Sequence, residues 1–284
     1  MKAVEALYTQ QIADGIRARH LATPMEEACS LQLGQSASSA LRELEERQFD
    51  RAPVLQDGVV VGVVSLSELR RQGSVAEYVH HLETGLLVAA DVGLRELMRY
   101  LRDEPFLLVL EGRLISGLVT ATDLGRPAGR TYFYLLLSQL EIALADVVRY
   151  RFPEQRLALA LLSDNRRAKH SELIVQLRQR DDFIDDVAAL ALVDLLTVVG
   201  KKRDLAHHFT GNWTWTALTS GMGSFRNDVM HPAKDFHKAS NRGIRELIDY
   251  DSRLRHLIEG ASRCLDPRSK NRMSATVKDV PVKT

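Results

Sequence analysis

Thiols are scarce in this chain: Cys29 and Cys264 are the only cysteines among 284 residues, and they stand near opposite ends. A disulfide framework or a cysteine-based zinc site needs more thiols at closer spacing, so both read as free. Histidine does not make up the lack. His80-His81 and His207-His208 are adjacent pairs, and neighbours on a helix point about 100° apart, too divergent to share an ion. With no H-E-x-x-H string either, no catalytic metal is expected. An excess of one charge is also missing. The 38 Lys and Arg face 37 Asp and Glu, so no global field draws nucleic acid, and any basic surface is local. Long apolar runs are lacking too: the longest, 187–199, is interrupted by Asp194, and the first residues include Lys2, Glu5 and Asp14. Neither a secretory signal nor a membrane span is expected, which points to the cytoplasm.

What is present is the composition of an ordinary folded protein, 45% hydrophobic and 26% charged, at a length that favours two domains. The first half repeats itself. Leu41-Arg42-Glu43-Leu44 returns as Leu94-Arg95-Glu96-Leu97, each predicted to open a helix. Downstream, VLQDGVVVGVVSLSEL at 54–69 matches LVLEGRLISGLVTATDL at 108–124. Each copy shows an apolar strand, a turn at Gly58 or Gly112, a second strand and a Ser/Thr-x-x-acid helix start. A repeat of about 55 residues in two copies is too short an array for a solenoid, so the copies are expected to pack on each other as a pseudo-twofold pair.

These paired strings resemble a tandem CBS pair, over roughly 16–127, with repeats of β-α-β-β-α type at about 16–75 and 76–127. The resemblance implies a ligand such as AMP, ADP, ATP or S-adenosylmethionine in the cleft between copies, with the acid of the T-x-x-D turn on the ribose. Thr120-Ala121-Thr122-Asp123 keeps that pattern. A carboxylate accepts two hydroxyl hydrogen bonds at once, and Arg126 and Arg130 follow within reach of phosphates. The first copy reads Ser65-Leu66-Ser67-Glu68, whose longer Glu68 moves the acceptor outward. The plainer reading of the same residues is structural: Ser65 and Thr120 as N-caps, Glu68 and Asp123 as first-turn acids.

The pattern changes after Asp123. Pro127 and Gly129 mark a break, with a domain boundary near 126–130, and apolar residues then recur at helical spacing over 131–150, with Glu141 and Asp146 on the remaining arc. Further helices are predicted at about 153–162, 171–178, 181–199, 213–230 and 235–258. The second domain, 129–265, reads all-α, and the chain as a whole α+β. The tail, 266–284, has two prolines and few apolar residues, and is expected to be flexible. Basic groups cluster at Arg166, Arg167, Lys169 and His170, at Lys201, Lys202 and Arg203, and in the tail. Solvated helix faces explain such clusters more often than phosphate contacts do. Trp213 and Trp215 fit core anchors better than base-stacking platforms.

The informative string is Ser224-Phe225-Arg226-Asn227-Asp228-Val229-Met230-His231-Pro232. It resembles the R-x4-6-H signature of the HEPN superfamily, and 137–144 and 193–196 resemble that family's opening helix and the segment before its motif-bearing helix. The resemblance implies a helical bundle over roughly 131–262, working as a homodimer with two motifs facing one cleft. It also implies an RNA substrate and a role in bacterial stress or defence, as a toxin or antiviral effector. In one unbroken helix Arg226 and His231 would project roughly 140° apart. Pro232 disfavours the α region for His231, so the helix should end there and release the imidazole toward Arg226. RNA brings its own nucleophile in the 2′-hydroxyl, so cleavage needs no metal and no cofactor. His231 fits general base or acid, Arg226 fits the cation on the phosphorane-like transition state, and Asn227 orients the histidine or a phosphate oxygen. The alternative is a non-catalytic nucleotide sensor or scaffold whose helical domain binds a partner or RNA.

Overall fold

The computed structural model describes residues 2–180, 183–231 and 243–266, and side chains from Tyr8 onward. The chain divides into two compact units, one made of 14–130 with 237–248, the other of 1–13, 131–236 and 249–284. It opens with helix α1, Lys2–Asp14.

The mixed unit then runs through β1 (Thr23–Pro24), β2 (Leu31–Gln32), α2 (Ala37–Arg47), β3 (Arg51–Gln56), β4 (Val59–Ser65) and β5 (His80–His81). It continues with β6 (Leu87–Ala89), α3 (Leu94–Asp103), β7 (Phe106–Glu111) and β8 (Leu114–Thr120). Two four-stranded sheets result, in the orders β2-β3-β4-β5 and β1-β8-β7-β6. Each has one parallel pair, a tight hairpin, and a short antiparallel edge strand. The edge strand β1 precedes the first copy in sequence yet pairs with β8 of the second.

The repeat in sequence is a repeat in register. β3-β4 is bulged between Val54 and Leu55, and β7-β8 at the equivalent Val109 and Leu110. The turns differ in detail: Asp57 (φ +54°) and Gly58 (φ +79°) both take the left-handed region, whereas in the second copy Gly112 (φ +63°) takes it. These are the two-residue hairpin conformations that match strand twist. Gly62 and Gly117 sit where a Cβ would strike the carbonyl of His80 or Thr23 on the edge strand, so the close approach of backbones requires glycine there. Helix α2 buries Ala37, Ala40 and Leu44 against Leu31, Val54 and Val64. Val60 and Val63 of one sheet share a core with Phe106 and Leu108 of the other. That common core is what two copies need in order to cover each other's apolar faces.

Several local expectations need correcting. The repeated Leu-Arg-Glu-Leu string opens α3 but lies one turn inside α2, which starts at Ala37 behind the Ser36 cap. No helix follows Ser65: Glu68 and Leu69 donate back to the Ser65 carbonyl for one turn, and the Glu68 side chain leaves toward His80. After Thr120 there is only a 3-10 turn, Ala121–Gly125. Pro127 and Gly129 do not break the chain ahead of a helix. Pro127 is the first residue of α4, Pro127–Arg151, a position where its missing N–H costs nothing.

The helical unit adds α5 (Gln155–Leu159), α6 (Asp164–Arg178), α7 (Leu192–Gly200), α8 (Arg203–Thr210), α9 (Trp215–Thr219), α10 (Met222–Met230) and α11 (Ile244–Leu265). The helix expected over 181–199 is in fact a 3-10 turn, Asp186–Ala189, followed by α7. Asp185 caps the turn through the Ala188 N–H, and Asp194 caps α7 through the Ala191 N–H while holding Arg166 with both oxygens. The helix expected over 213–230 breaks at Gly221 (φ +73°), where Arg253 donates to the carbonyls of Ala217 and Ser220 left open by α9. The start of the helix expected at 235, and the basic residues of the tail expected to be flexible, lie outside the described residues.

Among the described residues one helix, α4, is long and apolar enough to cross a membrane by length and composition. Tyr132, Phe133, Leu136, Leu140, Leu144 and Val148 of α4 are buried. A helix at the centre of a bundle is apolar on most sides for that reason.

Candidate functional site

Helix α10 is fixed by Phe225, fully buried between Phe133 (ring centroids 5.2 Å apart, edge to face) and Tyr250 (4.0 Å, stacked). Burying such a ring stabilises by roughly 1.5–3 kcal/mol, and the aromatic pairs add to that. With Phe225 pointing inward, Arg226 turns about 100° toward the edge of the core. It is half-buried, and its Nε donates to Oε1 of Glu141 on α4 at 3.1 Å. Among the described residues this is the one bond the guanidinium makes. Asn227 is exposed, and its carbonyl accepts the His231 N–H at 3.1 Å as the last bond of α10. The helix ends at Met230, and His231 follows with φ −106° and ψ +89°, exposed. It thus ends where the residue before a proline should leave the α region. Pro232 lies outside the described residues. Arg226, Asn227 and His231 thus fall within two turns of one another along the end of α10.

Sequence reasoning placed Glu141 only on the polar arc of its helix. Its signal was a carboxylate within Leu-Glu-Ile-Ala-Leu, but its partner, 85 residues on, is visible only in three dimensions.

At the second candidate site Asp123 is buried and already engaged. Its Oδ2 accepts the Thr120 N–H (2.7 Å) and Thr120 Oγ1 (2.8 Å), and its Oδ1 pairs with Arg126 Nε (2.9 Å). Arg126 further donates to the Leu21 carbonyl and to Thr23 Oγ1, and buried Arg130 to the Gly125 carbonyl. Thr120, Asp123, Arg126 and Arg130 are thus brought together, in an arrangement that closes the 3-10 turn on itself. The first copy has the same hydroxyl pair, Ser65 with Ser67 at 2.9 Å against Thr120 with Thr122 at 2.7 Å. Glu68 does not return to Ser65: it pairs with His80 Nε2 at 2.5 Å, out on the surface.

Of the basic clusters, Arg166 is spent on Asp194, Arg167 on Asp164 and the Leu162 carbonyl, and Lys201 on the Leu161 carbonyl. The first ties α6 to α7, and the Arg167 bonds close the start of α6. Among the described residues no group of three or more His, Cys, Asp or Glu is placed to hold a metal ion. Both cysteines are free thiols, and burial pushes that of Cys264 up to about 12.

Comparison with known proteins adds a family for part of the chain. The family model described as CBS domain matches residues 23–74, from β1 to the end of the first copy, so a CBS domain lies there. No curated protein matches the chain. Similar solved structures include the CBS-pair protein CBSX2 from Arabidopsis thaliana, 22% identical, with a TM-score of 0.37 over 41% of this chain and 96% of that one. CbpB in complex with c-di-AMP is 18% identical, with a TM-score of 0.40 over 46% and 95%. The CBS domain of the bacterial CNNM/CorC family Mg2+ transporter in complex with ATP is 20% identical, with a TM-score of 0.35 over 47% and 98%. The protein is thus a mixed α+β chain with a CBS-like region of sheets and helices followed by a helical region.

Proposed function

We propose that the chain is a nucleotide-regulated, metal-independent endoribonuclease. In this reading residues 1–128 hold a tandem CBS pair that binds an adenosine-type nucleotide, and 129–265 form a HEPN-type domain that works as a homodimer. One observation carries the nuclease reading. Glu141 anchors Arg226 through Nε alone, leaving both Nη groups unengaged among the described residues, on the helix that ends in His231. Such a fork is suited to two oxygens of one phosphate.

The reaction follows from the substrate's own chemistry. One His231 takes the proton of the 2′-hydroxyl, the 2′-oxygen bonds to the adjacent phosphorus, and the bond from phosphorus to the 5′-oxygen breaks. The partner's His231 returns a proton to that leaving oxygen. The products are a 2′,3′-cyclic phosphate and a 5′-hydroxyl. Arg226 meets the negative charge that grows on the phosphate oxygens, while Asn227 orients the histidine or one of those oxygens. Two copies supply base and acid on opposite sides of the phosphorus. Support for pairing comes from α4, where exposed Tyr134 lies seven residues, about two turns, before Glu141 on the same face, and Ile142 is exposed beside it.

On the nucleotide side, the Asp123 carboxylate is the ribose acceptor and Arg126 and Arg130 the phosphate ligands, with Ser65 and Glu68 as the weaker counterpart. Because all four groups of the second copy are bonded to one another, to the Gly125 carbonyl or to Leu21 and Thr23, a nucleotide binds by exchanging those bonds and so rearranges 120–130. Linkage then requires RNA and nucleotide to alter each other's affinity by the same factor.

A second reading has its own support: the Glu141–Arg226 pair equally ties α10 to α4 in a non-catalytic sensor or scaffold. Incubation with total RNA in EDTA, with and without AMP, ATP or S-adenosylmethionine, separates the two. Cleavage is expected, and with fold and dimer intact His231→Ala should abolish it and Arg226→Ala should lower it by about 10²–10³-fold. Intact RNA selects the scaffold, and cleavage only with added metal overturns the mechanism.

A further inference from the structure

The helical unit has a small cavity of about 180 Å³ lined by Val193, Leu196 and Thr197 of α7, Trp215 and Thr219 of α9, and Gly223 of α10. Leu196 forms its buried floor, and Val193 at its rim is exposed, so the cavity reaches solvent. Trp215 is held in place, edge to face with Phe209 at 5.5 Å between ring centroids. It also lies so close over Gly200 that any side chain at that position would strike the indole. An indole fixed in this way beside aliphatic walls offers a stacking platform whose ordering cost is already met by the fold.

Size and polarity narrow the occupant. A dry cavity of about 150 Å³ takes a benzene ring, so this one suits a single six-membered ring and is too small for two fused rings. The hydroxyl of Thr197 donates to the Val193 carbonyl (2.7 Å) and that of Thr219 to the Trp215 carbonyl (2.9 Å). Each has spent its one proton and offers only lone pairs, so the ring should carry N–H donors on its edge, as cytosine and uracil do.

Position completes the argument. Gly223 precedes Arg226 by three residues and Asn227 by four on α10, so helix geometry puts both residues within about 60° of the Gly223 azimuth and about 5–6 Å further along the axis. That spacing lies within one nucleotide of the phosphate that Arg226 would hold. We propose that the cavity is a base-selecting subsite that stacks a pyrimidine of the RNA on Trp215. This rests on the nuclease reading for its substrate, but its test does not require cleavage.

Trp213 and Trp215 are the only tryptophans. In full-length protein carrying Trp213→Phe, cytidine and uridine monophosphates should quench the emission of Trp215 saturably, and AMP and GMP should quench it at least tenfold more weakly. Thr197→Phe fills the cavity from α7 and should remove the quench. Thr219→Phe fills it from α9 and guards against misfolding of the first variant, with near-UV circular dichroism confirming the fold of each. In a cleavage assay Trp215→Leu should lower the ratio of pyrimidine to purine cleavage about tenfold, the scale expected from losing one stacked base. Equal quenching by all four nucleotides, or quenching that survives both filled variants, overturns the proposal. Pyrimidine quenching in a protein that cleaves no RNA would sustain the subsite and refute the nuclease. Cleavage without pyrimidine quenching would do the reverse.

Discussion

If Arg226 is set by Glu141, then Glu141→Ala should impair catalysis far more than it harms the fold. The two side chains meet at 3.1 Å, with 37% of Arg226 and 28% of Glu141 exposed. Water therefore screens much of a Coulomb attraction that spans about 1 to 4 kcal/mol between bulk-water and near-surface dielectric constants. A pair so placed contributes about 1 kcal/mol or less to stability. For a chain of this size that moves Tm by about 2–4 °C, so the variant remains folded at assay temperature. Catalysis responds differently. Removing one preorganised donor from a developing oxyanion costs about 10²–10³-fold in rate, and Arg226→Ala should fall in that range. In Glu141→Ala the guanidinium remains but swings freely, so an intermediate loss of about tenfold is expected. Glu141→Gln keeps an oxygen acceptor for Nε and should stay within about threefold of the parent, at the same pH optimum. A fluorogenic RNA assay in EDTA beside a thermal melt reads both quantities. Full activity in Glu141→Ala, or equal losses in the Gln and Ala variants, would refute positioning through this bond.

Asp123→Asn should weaken adenine nucleotide binding in calorimetry while retaining the Thr120 cap, and Asp123→Ala should also lower Tm by stranding the Thr120 N–H; unchanged affinity in both removes Asp123 from the site. Tyr134→Glu with Ile142→Arg should turn a dimer into a monomer in light scattering and suppress cleavage, whereas a dimer that persists places the interface elsewhere. The Arg149 guanidinium holds the Asp185 carboxyl down at about 2, from an ordinary 3.8. Because the folded value is the lower one, the pair's stabilisation is complete above about pH 4 and is lost as pH falls through 2. Asp185→Asn should therefore flatten the acid limb of a Tm-against-pH curve between those values, and an unchanged limb would show that other carboxylates govern acid unfolding.

By itself the sequence determined the repeat, since strand alternation, hairpin glycines and the Ser/Thr-x-x-acid turn are local patterns that recur at a fixed offset. It also determined the end of α10, because the restriction Pro232 places on His231 acts between neighbours in the chain. What it left open depended on partners far away in sequence. Whether Gly221 or Asp185 interrupts a helical pattern depends on capping groups and packed neighbours, and periodicity alone cannot see them. Asp123 read as a ligand acceptor, yet the tertiary structure surrounds it with Thr120 and with an arginine braced on Leu21 and Thr23. Glu141 read only as an acid on the remaining arc of its helix, and only the packing of α4 beside α10 makes it the anchor of Arg226. Local patterns are written in consecutive residues; the pairing of charges across a core is fixed only when the helices that carry them are brought together.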